Sequence, residues 1–212
     1  MELLKRGYSQ YQKWIENLSS LNGFPALLLR LYLAPVLIQA GWNKYQHFGD
    51  TAEWFGNAEW GLGLPLPGLL AGLAIAAELV GGIMLLFGLL TRLVTIPLMV
   101  TMLVAIFSVH WPNGWLAIAD ASSWLADGTI LANTNVQSAP EKLAAAKAIL
   151  QEHGNYDWLT SSGKLVILNN GIEFAATYFV MLLVLFFSGG GRFVSLDYWF
   201  SRLIFKPFDT AK

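Results

Sequence analysis

Cysteine is missing from all 212 residues, which rules out disulfides, thiol chemistry by the chain itself and any thiolate-bound metal or iron–sulfur cluster. A redox role would have to run through a bound cofactor or a partner. Charge is scarce as well: 13% of residues are Asp, Glu, Lys or Arg, against roughly 25% in a soluble domain. The formal net charge of −1 gives no basic surface for nucleic acid. No early apolar run with a small-residue cleavage site is present, so the N-terminus does not read as a removable signal peptide, and the first span would act as an uncleaved anchor. What fills the chain is hydrophobic sequence, 55% of it, with a mean hydropathy of +0.50. These values describe an integral membrane protein, one domain of a few spans over residues 1–212.

The spans read as residues 24–42, 68–90, 93–110 and 169–188, which gives an all-α, four-helix transmembrane bundle. The second holds 23 residues and one ionisable side chain, Glu78. At ~1.5 Å rise per residue that carboxylate sits ~15 Å deep, near the middle of the hydrocarbon, where it needs a partner or a proton. Ala74, Gly81 and Gly82 share its face, so Glu78 is expected to point into the bundle. In the first span Arg30, Ala34, Leu37, Gly41 and Lys44 follow one another at steps of 4, 3, 4 and 3, one stripe of one helix. Arg30 lies ~9 Å in, where pairing with Glu78 is less costly than snorkelling. Lys44 reads either as an ordinary snorkelling end residue or as part of a polar site. Pro35 is expected to bend this helix.

Outside the spans, Leu4, Tyr8, Tyr11, Ile15 and Leu18 repeat at helical spacing beside Lys5, Arg6 and Lys13, which predicts an amphipathic helix on the inner membrane surface. Residues 45–67 read as a re-entrant or surface-lying loop. Residues 111–168 form a long extramembrane loop, with one helix signalled by a Ser138–Glu141 capping box and Pro140 and stopped at Gly154. Lys164 to Leu168 is expected as a short strand. Three glycines, 189–191, end the fourth span, and the tail RFVSLDYWFSRLIFKPF predicts a second interfacial helix. Eight Lys and Arg fall on the side of the termini and the Thr91 turn, namely 5, 6, 13, 92, 192, 202, 206 and 212; four, at 44, 142, 147 and 164, fall opposite. Both termini are therefore expected in the cytoplasm and the loop, in a Gram-negative bacterium, in the periplasm.

Counted from the outer face, Glu173 lies ~6 Å in, His110 ~5 Å in and Lys44 at the boundary, while Arg30 and Glu78 form a deeper layer. Arg30, Lys44, Glu78, His110 and Glu173 are the candidate ligand-binding residues. Two stacked polar layers suit a quinone-like headgroup, with His110 and Glu173 as proton carriers and Lys44 or Arg30 on an oxyanion. A static polar network that locks the helices together fits the same residues. His47, His110 and His153 lack metal-ligand spacing, so copper has no dedicated site, and Met99 and Met102 read as core.

Arg30 with Gly41 and Lys44, then GLPLP at 63–67, ELVGGIMLLFGLLTR from Glu78 to Arg92, and GGGRFVSLD at 189–197 resemble the pattern of DoxX-family membrane proteins. The resemblance implies a four-helix bundle; some relatives are small subunits of thiosulfate:quinone oxidoreductase or quinol oxidase complexes. The long loop and Glu173 depart from that pattern. HWPNGWLAIAD from His110, LQEHGNYDWL and LNNGIEFAATY resemble the HvfX branch, whose members accompany maturation of copper-binding, ribosomally made, modified peptides. That resemblance implies an accessory in the inner membrane with no catalytic activity of its own, whose partners are lipid, peptide-maturation proteins or a redox partner, and which could form a homo-oligomer. The other reading is a quinone-interacting subunit of an oxidoreductase system. A transporter is a third, disfavoured by four spans with no broken central helix.

Overall fold

The computed structural model describes residues 1–19, 21–126 and 133–205. Lys206 and Lys212, the end of the tail helix beyond Phe205, the Leu18 side chain and the 127–132 part of the long loop lie outside the described residues. Among the described residues every regular element is helical: α1 (Glu2–Ser19), α2 (Gly23–Gln46), α3 (Phe48–Gly56), α4 (Pro67–Phe87), α5 (Thr91–Asn113), α6 (Thr134–His153), α7 (Tyr156–Thr160), α8 (Glu173–Ser188) and α9 (Leu196–Phe205). The α4 helix widens into a π-helical stretch over Ala76–Val80, and α5 does so over Ala105–His110 before a closing 3-10 turn. The chain divides into two compact units, one of residues 1–101 and 180–212, the other of residues 102–179, the division falling within α5 and within α8.

In the first unit α2 and α4 run antiparallel and touch through small residues. A Cβ on Gly41 would lie 2.6 Å from the Leu79 nitrogen and 3.1 Å from the Glu78 Cβ, and one on Gly82 would lie 2.8 Å from Ile38. Close approach is the work these glycines do, as small residues do between membrane helices. Leu33, Ala34, Leu37 and Leu85 of these two helices are buried, as are Leu98, Leu182 and Leu185 elsewhere in the unit. The α4 helix stops at Phe87 because Gly88 takes a left-handed conformation (φ 61°), its N–H bonding Leu85 O and the next N–H bonding Met84 O. The expected span of 68–90 is shortened accordingly. Residues 45–67, expected as a loop, are mostly helix: α3 packs against α4, and a turn returns Leu62 and Leu64 N–H groups to the carbonyls of Trp54 and Phe55.

The second unit has its own cores, one of Ile106, Ile172 and Ala175 and one of Leu116, Ala126 and Val136. Here α6 begins four residues before the expected Ser138 cap. Asn133 caps it instead, accepting from Asn135 N–H at 2.8 Å, and Pro140 lies inside the helix. The expected strand at Lys164 to Leu168 reduces to a single antiparallel bridge, Ile118 to Leu168.

Among the described residues three helices, α2, α4 and α5, are long and apolar enough to cross a membrane; α8, with 16 residues, is apolar but shorter. Its start is displaced from the expected Asn169 because Asn170 takes a left-handed conformation (φ 60°), which a right-handed helix does not admit, as this segment turns to bond the loop backbone. Asn169 and Asn170 both donate to Ala117 O, Gly171 to Leu116 O and Ile172 to Gly114 O.

Candidate functional site

Arg30 is fully buried and held by five backbone carbonyls. Nε donates to Leu85 O (2.8 Å), Nη1 to Gly190 O (2.7 Å) and Phe193 O (3.3 Å), and Nη2 to Leu86 O (2.8 Å) and Val194 O (2.7 Å). A guanidinium has five N–H groups, so every donor is used. Two acceptors are end-of-helix carbonyls of α4, which have no partner within the helix and carry the negative pole of its dipole. The others belong to the glycine-rich segment after α8. Asp197 completes the knot: its carboxylate accepts from Leu90 N–H (2.6 Å) and Thr91 N–H (2.8 Å), and its own N–H bonds Gly88 O (2.9 Å). Arg30 therefore clamps one end of this unit and has no N–H left for a ligand oxyanion.

The expected Arg30–Glu78 pair is not formed. Arg30 lies at the level of Leu85, seven residues along α4 from Glu78 and so ~10 Å away along the axis. Glu78 instead meets Lys44, whose Nζ is 2.6 Å from Oε2. Glu78 is 5% exposed, whereas the Lys44 side chain keeps 29% of its surface open. Three features make the pair possible. Gly41, one turn before Lys44, lets the helices close up at Glu78; the antiparallel register brings the end of α2 to the middle of α4; and the wide turn at Ala76–Val80 sits around the carboxylate. A single π-turn inside an α-helix recurs at functional sites. One Nζ hydrogen faces Glu78, and no other side-chain or backbone acceptor meets Nζ among the described residues. An ammonium has three N–H groups, so Lys44 can still donate to a ligand carbonyl while Glu78 exchanges a proton.

In the second unit His110 and Glu173 each hold loop backbone. His110 Nδ1 lies 2.9 Å from Asn170 O, and Asn113 donates to the same carbonyl at 3.1 Å. A carbonyl only accepts, so Nδ1 carries the hydrogen and Nε2 is the ring nitrogen left for proton exchange in the neutral imidazole. Glu173 Oε2 accepts from Ala117 N–H at 2.9 Å. Around them, Asn169 donates to Asn113 O (2.7 Å) and Leu116 O (2.6 Å), and Asn133 donates to Asn113 O (2.7 Å) and Asn169 Oδ1 (3.2 Å). Asn133 and Asn169 were missed as site residues from the sequence, although Asn169 opens an Asn-Asn-Gly run, a turn signal that could have found it. A groove of about 380 Å³ in this unit is lined by Ile118, Asp120, Ser122, Pro140, Leu143 and Val166. Asp120 there is exposed, and hydrogen bonds from the Ser122 hydroxyl (2.6 Å) and N–H (2.9 Å) hold its carboxyl below the usual range. Among the described residues no group of three or more His, Asp or Glu side chains is placed to share a metal ion.

Helices of spanning length and buried charges satisfied between them define a helical membrane protein. Residues 26–111, which contain Arg30, Lys44, Glu78 and His110, match the DoxX family. The chain is 34% identical over 83 residues to "Putative oxidoreductase CatD" of Bacillus subtilis (strain 168), an alignment covering 39% of this chain and 58% of that protein. The match thus spans a little over half the relative's length. No solved structure matches the chain.

Proposed function

We propose that this chain is a DoxX-type subunit of an inner-membrane oxidoreductase system, in which the Lys44–Glu78 pair receives the polar head of a quinone-like, lipid-soluble ligand. In this reading α8 is the fourth span, both termini are cytoplasmic, and residues 111–168 face the periplasm. The observation that carries it is the pair itself: an ion pair at 2.6 Å, buried on the Glu78 side and open on the Lys44 side, at a π-helical turn. Lys44 orients a carbonyl oxygen and holds its developing charge, and Glu78 supplies or takes one of the two protons that accompany the two-electron change, the other being exchanged with water at the open Lys44 side. A quinone would supply two-electron redox chemistry, with the electrons coming from or passing to a partner protein. The named similarity to an oxidoreductase supports the redox side of the reading.

Purified protein, gently extracted with organic solvent, should release quinone near one per chain by mass spectrometry. Glu78→Gln, and the double change Lys44→Met with Glu78→Gln, which leaves no unpaired buried charge, should lose it while remaining folded. Quinone no higher than in an unrelated membrane protein purified alongside would overturn the proposal.

A second reading has an observation of its own. Residues 102–179 form a compact unit, most of it outside the family match, and carry the HvfX-like segments. They would then be the docking surface of an accessory in maturing a copper-binding modified peptide. Removing residues 111–168 should abolish that maturation, and the Glu78→Gln change should leave it intact.

A further inference from the structure

The described side chains of α1 lie almost wholly in the open. Leu4, Tyr8, Tyr11, Trp14 and Ile15 are 80%, 64%, 54%, 60% and 39% exposed. At 100° per residue these five fall within a stripe about 120° wide, with Lys5, Arg6 and Lys13 outside it. Three of the five are Tyr or Trp, the side chains that sit at the headgroup level of a bilayer. Only residues 20–22 separate α1 from α2, so its end is tied to the start of a helix of spanning length.

The α9 helix is amphipathic in the inverted sense. Trp199, Phe200, Leu203 and Ile204 are 56%, 48%, 73% and 59% exposed, whereas the polar Asp197 and Tyr198 are half-buried. Those two line a cleft of about 520 Å³ with Thr91, Arg92 and Gly190. Asp197 fixes the first turn of α9 to the start of α5 through the Leu90 and Thr91 N–H groups. A helix pinned with its polar side inward and its apolar side outward is arranged for hydrocarbon, not for water.

Both helices leave from the same end of their unit. A Cβ on Gly23, at the head of α2, would lie 2.7 Å from the Arg192 nitrogen and 3.0 Å from Phe193, three to four residues before α9. Arg30 joins α2 to Gly190, Phe193 and Val194 at that same end. From this placement we infer that α1 and α9 form an in-plane collar in the headgroup–acyl boundary of one leaflet. Their apolar stripes lie in lipid, and Lys5, Arg6, Lys13 and Arg202 contact the phosphates of anionic phospholipid. Arg202 already stacks over the Tyr198 ring at 4.9 Å, which holds its charge at the upper edge of the stripe.

Because the chain has no cysteine, single labels can be placed without removing any residue of that type. Spin labels at Tyr8, Ser9, Tyr11, Trp199 and Leu203, one per sample, would be read in full-length protein in nanodiscs of mixed neutral and anionic phospholipid. The probes are oxygen, which enters lipid, and a water-soluble nickel chelate. The oxygen-to-nickel accessibility ratio should be roughly tenfold higher at positions 8, 11, 199 and 203 than at 9. Equal ratios at 8 and 9, or nickel access at 199 and 203, would place the helices in water and overturn the collar. Immobilised labels with low access to both probes would mean that protein, including a second copy of this chain, covers the stripes, and would overturn it equally. All five sites are exposed, and the α1 and α9 labels report independently, so one failed variant leaves the test standing. With Lys5, Arg6 and Lys13 all changed to Gln, the ratio at Tyr8 in anionic discs should fall to its value in neutral discs. An unchanged ratio there would overturn the phosphate contact.

Discussion

Replacing Arg30 tests whether this end of the protein is a clamp or a ligand site. Arg30→Lys keeps the charge but offers three N–H groups in place of five; Leu85 O keeps the Gly88 N–H, so at least one of the carbonyls of Leu86, Gly190, Phe193 and Val194 is left without a partner. A buried polar group left unpaired costs roughly 1–3 kcal/mol, which sets the lower bound for the change. For a chain of this size that is a fall of roughly 2–12 °C in melting temperature. Arg30→Met relieves the desolvation of a buried charge but strands four of the five acceptors, Leu85 O keeping the Gly88 N–H, and the carbonyls cannot turn away because two end a helix and three sit in a short glycine-rich segment. The stranded acceptors should win, and Arg30→Met should be less stable than Arg30→Lys. Tryptophan fluorescence on heating in detergent reads both. The reasoning fails if Arg30→Met melts within about 2 °C of the parent, a shift worth under ~1 kcal/mol. It also fails if Arg30→Lys melts normally yet loses bound quinone, since that would make the guanidinium a ligand group.

Gly41→Val should push α2 from α4, because its Cβ would meet the Leu79 nitrogen at 2.6 Å; the expected loss is roughly 1–3 kcal/mol in the same melting experiment. Gly72→Ala, where a Cβ meets nothing within 4 Å, is the control and should be neutral or slightly stabilising. Asp197→Ala should cost about 1 kcal/mol as a lost helix cap and speed hydrogen exchange at the Leu90 and Thr91 amides; unchanged exchange at both would refute the capping role. Asp120 is stabilised as the carboxylate by Ser122, so its contribution is present above the ordinary carboxylate range and is lost as pH falls through its lowered pKa. In Ser122→Ala the Asp120 titration, followed by NMR, should move up toward the ordinary value; no movement would show that Ser122 is not the cause.

The elements legible in the sequence were those set by periodicity and composition: α2, α4 and α5 as long apolar helices, α1 as an amphipathic one, and the stop of α6 at Gly154. What failed was whatever depended on contacts between distant segments. The start of α8 could not be read from hydropathy, because Asn170 takes a left-handed conformation (φ 60°) where residues 169–172 turn to bond the backbone of residues 114–117. Helix α3 was hidden by its aromatics and by the prolines that follow it. In the site, the small face around Glu78 was readable from Gly81, Gly82 and Gly41. Its partner was not: depth counted separately from each helix end put Arg30 beside Glu78, whereas the antiparallel register places Lys44 there. Register is set by where the glycines allow two backbones to close, and that is a property of the pair rather than of either helix.

Two buried charges at two levels of one helix pair therefore do different work, and donor saturation tells them apart. Arg30 spends five N–H groups on five carbonyls, an arrangement that has nothing to gain from a ligand and much to lose from movement. Lys44 spends one on Glu78, stays partly open, and sits where the α4 backbone has already widened. The first arrangement is what rigidity requires. The second can change its hydrogen bonding without unfolding anything, since Lys44 can add an acceptor while keeping Glu78. If a small molecule is recognised in the first unit, the rigid knot at one end is what holds α2 and α4 in the register that presents the adaptable pair further along. Arg30→Lys should then loosen binding only through the melting of the whole unit, in step with the lost stability, whereas Glu78→Gln, which removes the buried charge and leaves Lys44 an amide oxygen to bond, should remove binding from protein that melts close to the parent.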